Sequence, residues 1–545
     1  MDPDLRSIQQ ARELLQKASA AQKEFANASQ EKVDRIVERM AAAGARAAET
    51  LARHAVEETG FGRVESKVQK NLFATTTLLD QTRQMKTCGV ISRSTDNAVW
   101  EVAVPMGVVA ALTPSTNPTS TAMYKAIIAA KARCGIVVSP HPRAANCTAA
   151  ALTAVAEAAY RAGAPKGLFA CMSEVSLAGT AELMENALVD VILATGGTPM
   201  VKAAYSKGKP AYGVGSGNVP VYVDRSADVA KAAADIIYGV SFDWGTLCST
   251  ERSVVADRPI RQRLIEEMKR RGAHFLSAGE RSQLEQFVVK GGKLNIEQVG
   301  RPPVEIAAGA GFRVDQNTTA LVAEVTETGR QEPLSMETLS PILTFYTEDG
   351  WEAGCERCIA ILNYGGIGHT LGLHCQARNV IEAFALEKPA MRIVVNTVAA
   401  LGSVGYTTGL FPAMTLGPGT VGGSITSDNI SPLHLINIKR VAFETNPVSA
   451  GHVGTDVADK PRTTGVVPTK WITEIENRLR ARAGNQPQTR IAPDSERTSA
   501  SRLSATKQAP SATSKAAVSD AKAETKVGLA IDETRIDELI RQFRR

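Results

Sequence analysis

A chain of 545 residues exceeds the size, about 250 to 300 residues, at which one hydrophobic core stops growing, so two main domains plus appendages are expected. A hydrophobic fraction of 44% and a charged fraction of 22% exclude disorder of the chain as a whole. A net charge of +6 without a basic, aromatic-interleaved stripe argues against a nucleic-acid partner, and eight scattered cysteines argue against a secreted disulfide scaffold.

The chain opens on Met1, Asp2, Pro3 and Asp4, an acidic start without the apolar core of a secretory signal, so a reducing cytoplasmic compartment is expected. From 4 to 79 apolar residues recur at helical spacing, as in Ile8, Leu14 and Leu15 and again in Val33, Ile36 and Met40, which predicts a run of amphipathic helices. The pattern changes over 88–104, where Val90 and Ile91, and then Val99, Trp100, Val102 and Val104, flank the turn formers Ser94, Thr95, Asp96 and Asn97. That reads as a β-hairpin.

Over 107–223 short apolar strands at 108–112, 136–139 and 189–194 alternate with helical segments at 122–132 and 149–162, the pattern of a mainly parallel sheet. The longest apolar stretch, 126–138, is broken by Lys131 and Arg133 and falls short of the roughly 18 uninterrupted residues that suggest a membrane span, so no membrane partner is expected. Alternation resumes over 227–423, with strand patterns at 252–255, 319–325 and 392–395, and predicts a second α/β domain.

Composition then shifts. Residues 484–526 hold no aromatic side chain and are dominated by Ala, Ser, Thr, Lys, Gln and Pro, which predicts a flexible linker. Beyond it Ile536, Leu539, Ile540 and Phe543 fall on one helical face, with Asp532, Glu533, Asp537 and Glu538 ahead of Arg541, Arg544 and Arg545, the order the helix dipole favours. A short amphipathic helix on a tether is expected over 527–545.

The segment Phe242-Asp243-Trp244-Gly245-Thr246-Leu247-Cys248-Ser249-Thr250-Glu251 places a cysteine in a small-residue turn just ahead of a strand, where a thiolate could meet a cleft. Locally it proves little, since a lone cysteine is more often a small buried hydrophobe. Cys355 and Cys358 make a Cys-x-x-Cys with no second pair at metal-site spacing, within a helical pattern at 351–362, so no metal site is expected. Gly213, Gly215 and Gly217 depart from the dinucleotide fingerprint and fit a tight turn equally well.

The Cys248 segment resembles the nucleophile motif of the CoA-acylating aldehyde dehydrogenases, and other segments resemble that family in the same order. These are Thr113-Pro114-Ser115-Thr116-Asn117-Pro118, Ser139-Pro140-His141-Pro142-Arg143, Ala194-Thr195-Gly196-Gly197, Glu337-Thr338-Leu339-Ser340-Pro341, Gly366-Ile367-Gly368-His369-Thr370 and the stretch ending His434-Leu435-Ile436-Asn437-Ile438-Lys439. The resemblance covers roughly 5–445. It implies an aldehyde dehydrogenase-like α/β fold with a Rossmann-type NAD-binding domain at 1–224, a catalytic domain at 225–423 and a C-terminal oligomerisation segment at 424–483.

By the same resemblance Cys248 is the nucleophile, and Asn117 with the Cys248 backbone N–H stabilises the oxyanion. Thr195, Gly196 and Gly197 approach the NAD pyrophosphate, Pro140 and His141 lie near the adenosine half, and Glu337 contacts the nicotinamide ribose. His369 stays outside the catalytic set, because a lone histidine in a glycine-rich turn is at least as often a structural hydrogen-bonder. Hydrolytic relatives carry a glutamate as base for water, whereas the matching stretch here, Tyr212 to Asn218, has Val214 at that place and no carboxylate.

The expected activity is therefore oxidation of a short-chain aldehyde to an acyl-CoA, with NAD as hydride carrier and coenzyme A as co-substrate. A hydrolytic dehydrogenase giving a free acid and a non-catalytic assembly protein remain as alternatives. Tails like 527–545 act as encapsulation peptides, so a microcompartment shell or cargo protein is the expected partner, with the enzyme packaged as a homodimer or homotetramer in a bacterial microcompartment. The identity of the aldehyde and the choice of NAD over NADP stay open at this point.

Overall fold

The computed structural model describes residues 2–445, so the expectations for 484–526 and 527–545, and most of that for 424–483, lie outside the described residues. The chain begins with helices α1 (Pro3–Phe25), α2 (Gln30–Arg46), α3 (Ala48–Thr59) and α4 (Val64–Leu72), the last running through one π-helical turn, Phe73–Thr77, into α5 (Leu78–Thr82). Asp2 caps α1 and Ser29 caps α2, each side chain accepting a first-turn N–H. The buried stripes follow helical period: Ala11, Leu15 and Ala18 on α1, and Val33, Ile36, Val37 and Met40 on α2. α4 departs from this rule and buries a polar face, Ser66, Lys67, Lys70 and Asn71.

The hairpin expected at 88–104 is present as β1 (Gly89–Arg93) paired antiparallel with β2 (Val99–Pro105). Next come β3 (Val108–Thr113), α6 (Pro118–Lys131), β4 (Gly135–Pro140), α7 (Ala145–Arg161), β5 (Phe169–Cys171), α8 (Leu177–Glu185), β6 (Val191–Thr195), α9 (Thr198–Tyr205) and β7 (Ala211–Val214). α6 begins ahead of the expected 122, because Pro118 supplies the fixed φ of a first helical position before apolar periodicity starts. The strands form a five-stranded parallel sheet in the order β5-β4-β3-β6-β7. Its central β3 and β4 are buried throughout, as a sheet covered on both faces requires.

In that order the chain runs outward from β3 to β5 and then restarts beside β3 with β6. This is the switch point of a doubly wound sheet, where a crevice opens at the carboxyl ends of the strands.

The remaining strands are β8 (Val219–Val223), β9 (Glu251–Asp257), β10 (Ala273–Phe275), the small hairpin β11 (Val289–Lys290) and β12 (Lys293–Leu294), β13 (Ala320–Glu324), β14 (Ile342–Glu348), β15 (Gly368–His374), β16 (Ala390–Val395) and β17 (Ile436–Ala442). Seven of them build a second parallel sheet, β10-β13-β14-β9-β8-β15-β16. Because β8 belongs here, the chain passes between the sheets at 215–218, ahead of the boundary expected at 224; Val219 to Val223 are buried and pair with β9 and β15. α10 (Val229–Ser241) links β8 to the Cys248 loop. β17 returns to pair antiparallel with β2.

Among the described residues no helix is long and apolar enough to cross a membrane. No group of metal-ligating side chains occurs among them either, and Cys355 and Cys358 are buried inside a helix, Gly350–Tyr364.

Candidate active site

A cavity of about 460 Å³ opens where β3, β4 and β6 end. It is lined by Asn117 after β3, Pro140 and His141 after β4, Thr195, Gly196 and Gly197 after β6, and Cys248 and Glu337 from the far side. All eight residues singled out in the sequence thus meet in one place.

The Cys248 loop is held by a buried charge cluster. Leaving α10, the chain takes left-handed conformations at Asp243 (φ 50°), Trp244 (φ 49°) and Gly245 (φ 72°), and Gly245 packs so closely on Ser340 that a Cβ would overlap its carbonyl. Asp243, fully buried, accepts from the Arg63 N–H at 2.7 Å, from the Thr246 hydroxyl at 2.5 Å, from Lys67 at 3.1 Å and from Lys70. Burial alone raises its pKa, but Lys67 and Lys70 outweigh burial and hold the carboxyl below its ordinary value. Burial lowers the pKa of Lys70 and Lys67 adds to the fall, while the ion pair with Asp243 opposes both.

Cys248 itself is half-buried at the cleft. Its thiol is pushed up to about 12, by burial first and Glu337 second, against the opposing charges of Arg392 and Arg252. The resting group is a thiol. Gly217 lies against it: a Cβ there would overlap the Cys248 carbonyl oxygen, which gives the third glycine of the 213–217 string a definite reason. Asn117 donates from Nδ2 to the Thr116 hydroxyl at 3.1 Å and to the Thr246 carbonyl at 3.4 Å, two residues ahead of Cys248.

The facing wall is built from backbone and small side chains. Thr195 ties its hydroxyl to that of Thr415 at 2.9 Å, and α9 has Gly197 as an N-cap without a side chain. Pro199 lacks an N–H and the Met200 N–H donates to the Gly197 carbonyl, which leaves the Gly197 and Thr198 N–H groups for a ligand. A Cβ at Gly196 or Gly197 would meet only ordinary contacts. His141 accepts the Arg143 N–H on Nδ1 at 3.1 Å, which orients the ring at the exposed edge of the cleft. An uncapped helix start at a sheet switch point, with neutral side chains around it, fits a dinucleotide.

A family model described as "Aldehyde dehydrogenase family" matches residues 5–287. The chain belongs to the aldehyde dehydrogenase family. Among solved aldehyde dehydrogenases, an acetylating enzyme from Geobacillus thermoglucosidasius is 50% identical with a TM-score of 0.81, over 82% of this chain and 99% of that one. The Rhodopseudomonas palustris propionaldehyde dehydrogenase with bound CoA and an acylated cysteine is 27% identical with a TM-score of 0.72, over 79% of this chain and 97% of that one. An aldehyde-alcohol dehydrogenase from Clostridium acetobutylicum is 40% identical over 441 residues, 80% of this chain and 51% of that protein. The chain spans about half the length of the first curated relatives it matches.

In this member of the family, Val214 is buried at the end of β7 and lines the cleft. Glu337 is the one carboxylate among the described residues lining it, and it accepts the Gly217 N–H at 3.0 Å. Burial raises the pKa of Glu337, while Arg252 and the Gly217 N–H oppose that rise. His369 is buried behind the Cys248 loop, with Nδ1 at 3.0 Å from the Thr370 hydroxyl, and burial pushes it down to about 3, with Arg392 adding to the fall. It stays neutral.

Lys67, Lys70 and Asp243 escape a reading of the sequence, because lysines at i and i+3 on a polar helix pattern look like a solvated face. Beside Lys70 a narrow pocket is lined mainly by Phe73, Phe242, Leu247, Leu401, Val404 and Met414. Nothing local ties these distant residues together.

Proposed function

We propose that this aldehyde dehydrogenase oxidises a short-chain aldehyde to its acyl-CoA, with Cys248 as nucleophile. The carrying observation is the convergence of Cys248, Asn117 and the uncapped start of α9 on one cleft whose only carboxylate, among the described residues, is already held by the Gly217 N–H. The Cys248 sulfur, once deprotonated, adds to the aldehyde carbon, and the carbonyl electron pair moves onto oxygen to give a thiohemiacetal. Asn117 Nδ2 and the Cys248 N–H donate to that oxyanion; losing one such donor costs on the order of 2.7 to 4 kcal/mol of barrier.

A bound NAD supplies the hydride acceptor. Thr195, Gly196, Gly197, Pro140 and His141 would bind and orient it, and Glu337 would hold its ribose. Loss of hydride leaves a thioester on Cys248, and the coenzyme A thiolate attacks it and expels the Cys248 thiolate. With Val214 in place of a general base, water is activated poorly. A steady-state panel of acetaldehyde, propionaldehyde and sulfoacetaldehyde, compared by kcat/KM, identifies which short aldehyde the cleft takes. Product analysis tests the acceptor: acyl-CoA and NADH should form together, while equal NADH formation without any thiol would contradict the reading.

Assembly belongs to the same proposal. The three-stranded sheet β1-β2-β17 leaves Val90, Val441 and Phe443 exposed, which supports a homodimer or homotetramer built on this sheet. Packaging rests on the amphipathic pattern of 527–545, through which a microcompartment shell or cargo protein would be bound in the cytoplasm. Leu539→Asp with Phe543→Asp should release the enzyme from purified compartments without changing turnover, and retained packaging would count against it.

A further inference from the structure

The buried face of α4 puts an ammonium directly on the amide of Asn117. Lys70 Nζ donates to Asn117 Oδ1 at 2.6 Å, to Asp243 Oδ2 and, more weakly, to Thr246 Oγ1 at 3.4 Å. Three donors thus meet three acceptors, and the Lys70 side chain is only 5% exposed. Thr246 spends its own proton on Asp243, which leaves its oxygen free to accept. Lys67 completes the cluster, donating to Asp243 and to the Thr116 carbonyl at 3.0 Å, beside Asn117 in sequence.

An ammonium has donors and no acceptor. An amide has both, and its two flipped orientations differ little unless a neighbour discriminates between them. Facing Lys70, only the carbonyl oxygen of Asn117 is tolerated, so Nδ2 must lie on the opposite side, where it meets the Thr246 carbonyl of the Cys248 loop. The flipped amide would present an oxygen to any negative charge developing on that side and would oppose it.

We propose that Lys70 is a positioning residue for the aldehyde step, fixing the Asn117 amide with Nδ2 turned toward the Cys248 loop. The inference rests on the reading of Asn117 as an oxyanion donor. Asp243 and Lys67 are then the support of the lock: Asp243 anchors the ammonium from behind, and Lys67 keeps Asp243 paired if Lys70 is lost.

A double-mutant cycle tests it on the full-length enzyme, with kcat for CoA-dependent NADH formation as the main readout. Asn117→Ala should lower kcat on the order of 100-fold, as for loss of one oxyanion donor, and Lys70→Met should lower it about tenfold. Lys70→Met in the Asn117→Ala background should cost nothing further, because the group it orients is gone. The KM for NAD and the alkylation rate of Cys248 should stay within about twofold in all variants, which a general disturbance of the loop would not allow.

Factors that multiply in the double variant, or full kcat in Lys70→Met, would overturn the assignment. Wild-type kcat in Asn117→Ala would instead remove the oxyanion reading and the role of Lys70 with it. Should Lys70→Met fail to fold, Lys70→Gln carries the same cycle: its amide offers both donor and acceptor, so its loss should be intermediate and should also vanish in the Asn117→Ala background.

Discussion

Where β6 ends, the cleft is walled by Thr195, Gly196 and Gly197, half-buried or exposed and uncharged, and a Cβ on either glycine would meet only its own helix. Across the cleft the Cys248 loop rests on Asp243, Lys67 and Lys70, all buried and both lysines bonded to Asp243, and Gly217 presses on its backbone. One wall exposes backbone donors and can exchange a ligand; the other spends desolvated charge to hold a few atoms still. Positioning of reacting groups tolerates little error, since a displacement of about 1 Å can cost on the order of 100-fold in rate.

Substitutions on the two walls should therefore differ in kind. Asp243→Ala leaves two buried lysines without their carboxylate and should destabilise the fold by about 3–5 kcal/mol, read as a lower denaturant midpoint. Unchanged stability would mean that the cluster is not a clamp. Gly217→Ala forces a Cβ into the Cys248 carbonyl and should lower kcat on the order of 100-fold, and because the Gly217 N–H also holds Glu337 the KM for NAD should rise with it.

The nucleophile itself should report its surroundings through pH. Because burial and Glu337 hold the thiol up near 12, thiolate grows with pH across the whole accessible range below that value. Iodoacetamide labelling of Cys248 in the free enzyme, followed by peptide mass spectrometry, should rise about tenfold per pH unit from pH 7 to 10. A plateau near neutrality would show a thiol already activated. On the opposite wall Gly196→Ala meets only Met200, at 3.8 Å, so it should leave kcat and stability near wild type and raise the KM for NAD by about threefold.

Much of this architecture is legible from the sequence, for identifiable reasons. β3 and β4 are continuous apolar runs because both faces of their sheet are covered, and the β1–β2 hairpin announces itself through Ser94 to Asn97. Cys248, Asn117 and Glu337 become visible through ordered resemblance, since each alone has an equally good structural reading. The charge cluster stays hidden because Lys67 and Lys70 lie more than 170 residues from Asp243 in sequence, and only the fold turns that face of α4 inward. The boundary at 224 misses β8 for a related reason: a five-residue apolar strand carries no mark of the sheet it joins.

The central claim is that Cys248 forms a thioester that waits for a thiol. Mixing the enzyme with NAD and propionaldehyde in the absence of coenzyme A should give one burst of NADH per active site and then a stall, with intact-protein and peptide mass spectrometry placing one propionyl group on Cys248. Adding coenzyme A should restart turnover and release propionyl-CoA. Continued NADH formation without a thiol, or a propionyl group absent from Cys248 during the stall, would contradict the account.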